Sequence, residues 1–450
     1  MRRVLIVTPH FPPDSSAASH RIRLLAPHLP ASGWDPTVLT VEPHSYEATL
    51  DSDLAAMVPP GVRVVRVPAW SARWTRAVGI GDLGLRAFDN LRRACSALLA
   101  RERFDALFVT TYPVYPALLG PMLKRRFHLP FVLDFQDPWV GSWGATVGGG
   151  PNGTVDLRSR ASRLLAEVME PLAVRAADGV TAVSAATYED VFARVRPDPR
   201  PVCATLPLGW EARDFDALDG GPNGFFDPQD GCIHLCYVGT LLPNGLGTLR
   251  ALLTAARAMR NTDPATYARL RLRFFGTSNQ SDPRFVTARV APIARELGVN
   301  DVVFEVAERI PYASALRVLK QASGILLLGS SEPHYTASKL FPALLARRPV
   351  LAIFHEASSV VSMLERVGGA PSIRVVTYGS ASSPAADSHR IAPALSALLG
   401  DPVYDEQTVH LDAIGDASAP SIAARLAAVF DRVADRRQPS EHQADRNHAA

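Results

Sequence analysis

Thr336-Ala-Ser338-Lys339-Leu-Phe-Pro342-Ala-Leu-Leu-Ala-Arg-Arg-Pro349-Val-Leu-Ala352 reads as a short loop, a helix, a tight turn and a buried strand. It places one of only three lysines in the chain at the start of that helix. A helix N-terminus offers unpaired N–H groups and a partial positive charge, so an adjacent lysine points to a bound phosphate. The plain alternative is a solvated lysine on a surface helix.

Working outward, the same strand–helix rhythm fills the chain. Val4–Thr8, Val38–Val41, Val62–Val67, Ala106–Thr110, Phe131–Asp134 and Gly179–Val183 are short apolar runs, with helix-length segments such as Leu83–Ala100 and Arg160–Ala176 between several of them. Continuous apolar strands joined by helices predict a parallel sheet covered on both faces. Glycine, proline and asparagine crowd into 207–230. The rhythm then resumes at Ile233–Val238, Leu270–Phe275, Val302–Phe304, Gly324–Leu328, Pro349–Ile353 and Ile373–Val376. The division expected is a first α/β domain over 1–208, a linker over 209–230, a second α/β domain over 231–417, a last helix over 418–436 and a frayed tail over 437–450. Six glycines in 141–153 predict a mobile loop.

The totals limit the classes. At 450 residues the chain holds two or three domains of about 150 residues each. A formal charge of +3 gives no reason to expect nucleic acid as a partner. No apolar run reaches the ~18–20 residues that span a bilayer, and Met1 leads straight into a strand, so a cytoplasmic protein is expected. Arg73-Trp74 and Lys124-Arg-Arg126-Phe127 set basic beside aromatic side chains. That chemistry suits peripheral contact with lipid headgroups, although a solvated face is the plainer reading. Cys95, Cys203, Cys232 and Cys236 lack zinc spacing and read as free thiols in a reducing compartment.

Ligands of open parallel sheets bind at the carboxyl ends of strands. The first such exit runs through Asp14, Ser15, Ser16, His20 and Arg21. Its small residues lead into a helix, without the glycine pattern of a dinucleotide loop or a P-loop. The next exit is Asp134-Phe-Gln136-Asp137-Pro-Trp139, where two carboxylates beside an aromatic ring suit a polyol ligand or general acid–base work. Further on, Gly239-Thr240 precedes a helix, Gly276-Thr277 ends another strand, and Glu332 lies upstream of Thr336, Ser338 and Lys339. For each of these, ordinary turn and cap chemistry is an equal reading.

Together these segments resemble the GT-B glycosyltransferases, close to the family-four retaining enzymes, over roughly residues 3–435. The opening strand, loop and helix are similar to that family's first unit. Residues 131–139, FVLDFQDPW, resemble its D-x-R-D-x-W segment, LAVRAADGVTAVS its last N-domain strand, and CYVGTLLPNGLGTLR the start of its donor domain. SKLFPALLARRPVLA resembles its S-K-L-[FY]-E-Y-L-A-x-x-x-P-V-L-A segment. The resemblance implies two Rossmann-like α/β domains facing across a cleft, with the C-terminal helix packing back toward the first domain. It implies a nucleotide-sugar donor in the second domain and a glycan or lipid-linked acceptor on the first, in surface polysaccharide or glycolipid synthesis. No metal and no cofactor beyond the donor are expected. Carried over by position, Gly239, Thr240, Gly276, Thr277, Thr336 and Ser338 bind the donor. Lys339 neutralises the leaving diphosphate, Glu332 lies near the sugar, and Asp137 acts on the acceptor side with Asp14, Ser15, Ser16, His20, Arg21, Asp134 and Trp139. Pro342 stands where relatives carry a ribose-binding carboxylate, Gln136 where they carry arginine, and Thr240 and Asn244 where they carry basic residues. These departures keep two other expectations open: a catalytically degenerate binding scaffold, or a nucleotide-sugar epimerase on the same fold.

Overall fold

The computed structural model describes residues 1–140, 157–218, 220–278, 285–330, 339–379 and 388–436. The chain forms two compact units: Met1–Gly209 completed by the segment from Ala417 onward, and Trp210–Asp416.

Seven parallel strands build the first unit: β1 (Arg2–Val7), β2 (Trp34–Val41), β3 (Arg63–Val67), β4 (Ala106–Thr110), β5 (Phe131–Phe135), β6 (Gly179–Ala182) and β7 (Val202–Thr205). Their spatial order is β3-β2-β1-β4-β5-β6-β7. Ile6 lies opposite Val38 on one side and Phe108 on the other. The inner strands are buried on both faces, which explains their continuous apolar runs.

One face of this sheet is covered by the helices Leu83–Arg101, Leu119–Phe127, Leu157–Ala176 and Ala185–Val195. Leu91, Leu123, Val174 and Val191 pack there against Leu5, Leu107 and Leu133. The opposite face is covered by Ser19–Leu25 and by the C-terminal helix Ala419–Asp435. Ile422, Leu426, Val429 and Phe430 of the latter bury themselves against Val4, Ile6 and Phe108. The Phe430 ring meets Trp34 edge-on at 5.1 Å and Phe108 at 5.5 Å. The return of the last helix to the first domain is therefore as expected from the resemblance.

The second unit holds six parallel strands: β8 (Ile233–Val238), β9 (Leu270–Phe275), β10 (Val303–Val306), β11 (Gly324–Leu328), β12 (Val350–His355) and β13 (Ile373–Tyr378), in the order β10-β9-β8-β11-β12-β13. Leu249, Leu252, Ala256 and Met259 of the helix Leu246–Thr262 pack with Leu395 and Leu398 of Ser388–Gly400 in its main core. In both sheets the order reverses beside the first strand, between β1 and β4 and between β8 and β11. Those reversals are where ligands enter such sheets.

Two features differ from the sequence reading. β7 is a seventh strand that the proline-bounded run Pro201–Pro207 concealed. Of the segment 209–230, read as a linker, the described residues from Trp210 onward belong to the second unit. Trp210 Nε1 donates to the Ile414 carbonyl (3.2 Å), the Tyr312 hydroxyl to Asp214 (3.0 Å), and the Phe225 ring lies 4.9 Å from Phe275. Their turn-rich composition is satisfied by local bonds such as Phe225 N–H to the Asn223 side chain (2.8 Å), which is why it looked like a tether.

Candidate functional site

In the second unit the exits of β8 and β11 flank the reversal. β8 is followed at once by Gly239, whose φ of +123° belongs to glycine. The lysine at 339 lies directly on it: a Cβ built at position 239 would fall 2.4 Å from Lys339 Cε. The absence of that Cβ lets the lysine cross the strand end. Its ammonium then donates to the Tyr237 hydroxyl and the Thr240 carbonyl, and sits 4.5 Å from the centre of the Tyr237 ring.

Among the described residues no carboxylate pairs with Lys339. Burial pulls its ammonium down to about 7, because the charged form loses hydration without gaining a counter-ion. A small cleft beside it is lined by Tyr237, Thr240, Asn244, Gly245, Gly329 and Ser330. The 17-residue helix Leu246–Thr262 begins at this cleft, with Gly245 as a cap that supplies no side chain. Asn244 Oδ1 is buried there with no hydrogen-bond partner among the described residues. The edges are fixed: the Thr248 hydroxyl donates to the Gly329 carbonyl (3.1 Å) and the Tyr378 hydroxyl to the Ser330 carbonyl (2.7 Å).

This geometry revises two expectations. Lys339 precedes only a six-residue helix, Leu340–Leu345, so the helix field at the cleft comes from Leu246–Thr262 instead. Thr277 does not face a ligand. It is fully buried, and its hydroxyl donates to Glu305 at 2.5 Å. Glu305 also accepts from the N–H groups of Arg289 (2.9 Å) and Ala291 (2.8 Å), capping the helix Ala291–Glu296. Gly276 lies against the Gly239 backbone, where its own Cβ would stand 3.8 Å from Gly239 Cα. Glu332, Thr336 and Ser338 lie outside the described residues.

In the first unit Asp14 is a hub rather than an open ligand. Its carboxylate is buried and accepts from Ser16 Oγ (2.5 Å) and Ser19 Oγ (2.8 Å), with His10 Nδ1 at 2.6 Å. Burial alone would raise this carboxyl; His10 and the two serines hold it below the usual range. Ser15 donates to the Thr49 carbonyl (2.9 Å), and His20 Nδ1 lies 3.3 Å from Arg23.

Arg21 and Asp134, expected to face the acceptor, are instead a buried ion pair. Arg21 Nε and Nη2 grip the two carboxylate oxygens at 2.9 and 2.7 Å, and Nη1 donates to the Leu206 and Pro207 carbonyls at 2.7 and 2.9 Å. Thr181 donates to the same carboxylate at 2.7 Å. These bonds join β5, β6 and the chain beyond β7, and both side chains are buried, so the pair is turned inward rather than toward a ligand. Asp137, three residues on, is exposed and makes no hydrogen bond or ion pair among the described residues. The surrounding protein still raises its carboxyl by desolvation. Trp139 packs edge-on to Tyr115 at 6.3 Å.

The residue that sequence reasoning missed is His10. It stands at the exit of β1, with its ring stacked 6.2 Å from Tyr46 and tilted against Tyr112 at 5.6 Å. With Nδ1 against a buried carboxylate, the tautomer that fits in the neutral ring is Nδ1–H, which leaves the lone pair on Nε2. The i, i+4 spacing of His10 and Asp14 after a strand was the available signal.

Residues 16–209 match the model of the family described as glycosyl transferase 4-like domain. That match falls within the first unit and covers less than half of the chain. Comparison with curated proteins gives no match in sequence. Among solved structures, a UDP-forming α,α-trehalose-phosphate synthase from Burkholderia vietnamiensis is 12% identical, with TM-score 0.60 over 97% of this chain and 100% of that one. A glycosyltransferase from Rickettsia africae is 12% identical, with TM-score 0.58 over 96% and 98%. HepE of Anabaena, solved in complex with UDP-glucose, is 14% identical, with TM-score 0.54 over 97% and 99%. At these identities the likeness is one of fold, and the fold is GT-B: two Rossmann-like units, completed by a C-terminal helix that returns to the first.

Proposed function

We propose that this protein moves a sugar from a nucleoside-diphosphate donor, bound by the second unit, to a hydroxyl of a glycan or lipid-linked acceptor, bound by the first. The observation that carries this reading is Lys339: a buried cation with no carboxylate partner among the described residues, at the β8–β11 reversal and beside a long helix start. A diphosphate supplies the missing counter-charge. Charge that grows on the leaving group as the glycosidic bond breaks is stabilised by a cation already in place. Two structural neighbours are named for uridine diphosphate chemistry, which supports a UDP-sugar as donor. In this reading Lys339 and the helix N-terminus meet the diphosphate and no metal is invoked. The resemblance carries retention of configuration into the proposal. Four free thiols accord with a cytoplasmic setting.

A thermal-shift series with UDP, GDP, TDP and ADP tests the donor site, since a ligand selective for the folded state raises its melting temperature. A rise with one nucleotide is expected, lost in Lys339→Ala and kept in Asp137→Ala. No rise with any nucleotide at millimolar concentration defeats the reading. A binding scaffold without transfer is the second reading, favoured by Pro342 and by the inward engagement of the Lys339 ammonium. Nucleotide binding without turnover of any UDP-sugar would select it.

A further inference from the structure

The helix Leu157–Ala176 is apolar on two opposite sides. Ala166, Ala173 and Val174 face the core, while Leu164, Leu165, Val168 and Leu172 are 64%, 42%, 62% and 59% exposed. At 3.6 residues per turn those four fall within an arc of about 100° directly away from the core. A surface helix with a solvated outer face carries charged residues there, so an apolar outer stripe marks a surface that something else covers.

Its surroundings say what. The neighbouring helix Leu119–Phe127 is joined to it by Lys124, whose ammonium donates to the Ala176 carbonyl at 2.9 Å, and it exposes Met122 beside Arg125 and Arg126. On the same face of the sheet, the helix Leu83–Arg101 is led in by Trp70 and Trp74, which are 64% and 74% exposed. Trp70 N–H is fixed to the Arg86 carbonyl at 3.0 Å. Arg73 lies over the Trp74 ring and Arg126 over the Phe127 ring. Among the described residues Arg73, Arg125 and Arg126 have no carboxylate partner. Of the exposed acids nearby, Glu167 is paired with Arg163 at 3.0 Å and Asp89 with Arg92 and Arg93 at 2.7 Å each, while Asp190 on Ala185–Val195 has no cation partner among the described residues.

We propose that this face of the first unit, the outer stripe of Leu157–Ala176 with Trp70 and Trp74, docks on an anionic lipid surface. The leucines and valine enter the acyl boundary, the tryptophans sit at headgroup level, and the unpaired arginines meet lipid phosphates. A second copy of the chain fits less well, because a two-fold contact sets the same unpaired cations against themselves. This inference is independent of the donor-site reading: it concerns attachment, and its test contains no nucleotide.

The test is co-sedimentation of the full chain with vesicles of phosphatidylcholine containing phosphatidylglycerol, and with vesicles of phosphatidylcholine alone. Binding to the anionic vesicles is expected, weakening as salt rises and near background on the neutral ones. Leu164→Gln/Val168→Gln/Leu172→Gln is expected to abolish it. Arg125→Gln and Arg126→Gln are each expected to weaken it about fivefold, the effect of one basic residue near such a surface. Trp70→Ser/Trp74→Ser, on separate elements, gives a second readout should the triple variant fold poorly. Equal binding by the wild-type chain and the folded variants overturns the proposal. So does wild-type chain that fails to bind and instead forms a dimer broken by the triple variant.

Discussion

Gly239 and Lys339, one hundred positions apart in sequence, occupy each other's space: the glycine's missing Cβ is the room in which the lysine stem lies. Gly239→Ala therefore does two things at once. It places a side chain at a φ of +123° and drives a carbon into Lys339 Cε. Denaturant unfolding is expected to show a loss of about 1–3 kcal/mol, and the nucleotide thermal shift is expected to vanish with it.

The low ammonium pKa of Lys339 makes donor binding proton-linked. The folded value near 7 lies below the ordinary value of 10.5, so the unfolded chain binds more protons between those limits. The lysine's penalty on folding is then present at and below about pH 7 and fades as pH rises toward 10.5, so its share of stability improves with pH. A diphosphate reverses the preference by favouring the charged form. Calorimetry in two buffers of different ionisation enthalpy at pH 8 is expected to show net proton uptake on nucleotide binding. Lys339→Met should remove that uptake.

Arg21 and Asp134 predict a stability contrast. Asp134→Ala strands a buried guanidinium and is expected to cost about 3–5 kcal/mol by chemical denaturation, as for other half-broken buried pairs. Arg21→Met/Asp134→Leu removes both charges and is expected to cost less than the single change. If the single and double variants lose the same amount, the pair is not the coupling element described.

His10 predicts an acceptor-side effect. His10→Ala is expected to lower sugar transfer about 10²-fold with the nucleotide thermal shift unchanged. Asp14→Asn, which keeps the shape but disturbs the tautomer of the imidazole, is expected to move the pH profile of transfer as well as its rate. A fall in nucleotide binding in either variant would contradict the assignment of this loop to the acceptor side.

The fold was legible because buried parallel strands leave unbroken apolar runs: β8, β9 and β11 stand within one residue of where the sequence puts them. β7 was not, since four residues between prolines carry too little pattern. The site was legible by position and misread by direction. Sequence spacing places Asp134, Arg21 and Thr277 at strand ends, but it cannot say that their polar atoms turn inward to each other, to Thr181 and to Glu305. His10 escaped for the complementary reason. Its partner Asp14 was noticed as an acid, while the ring it orients is defined only once Tyr46 and Tyr112 close in from other parts of the chain.

The C-terminal helix has a consequence for how the polypeptide can be cut and rejoined. Arg2 pairs with Asp431 at 2.9 Å and with Asp435 at 2.5 Å, so the beginning and end of the described chain are neighbours. On the ribosome, the first 209 residues emerge with Val4, Ile6 and Phe108 bare on one side until the last helix arrives. Expressed alone, that portion should aggregate. A circular permutant that joins residue 436 to residue 1 and opens the chain at residue 210 should yield a first unit that folds in one continuous stretch.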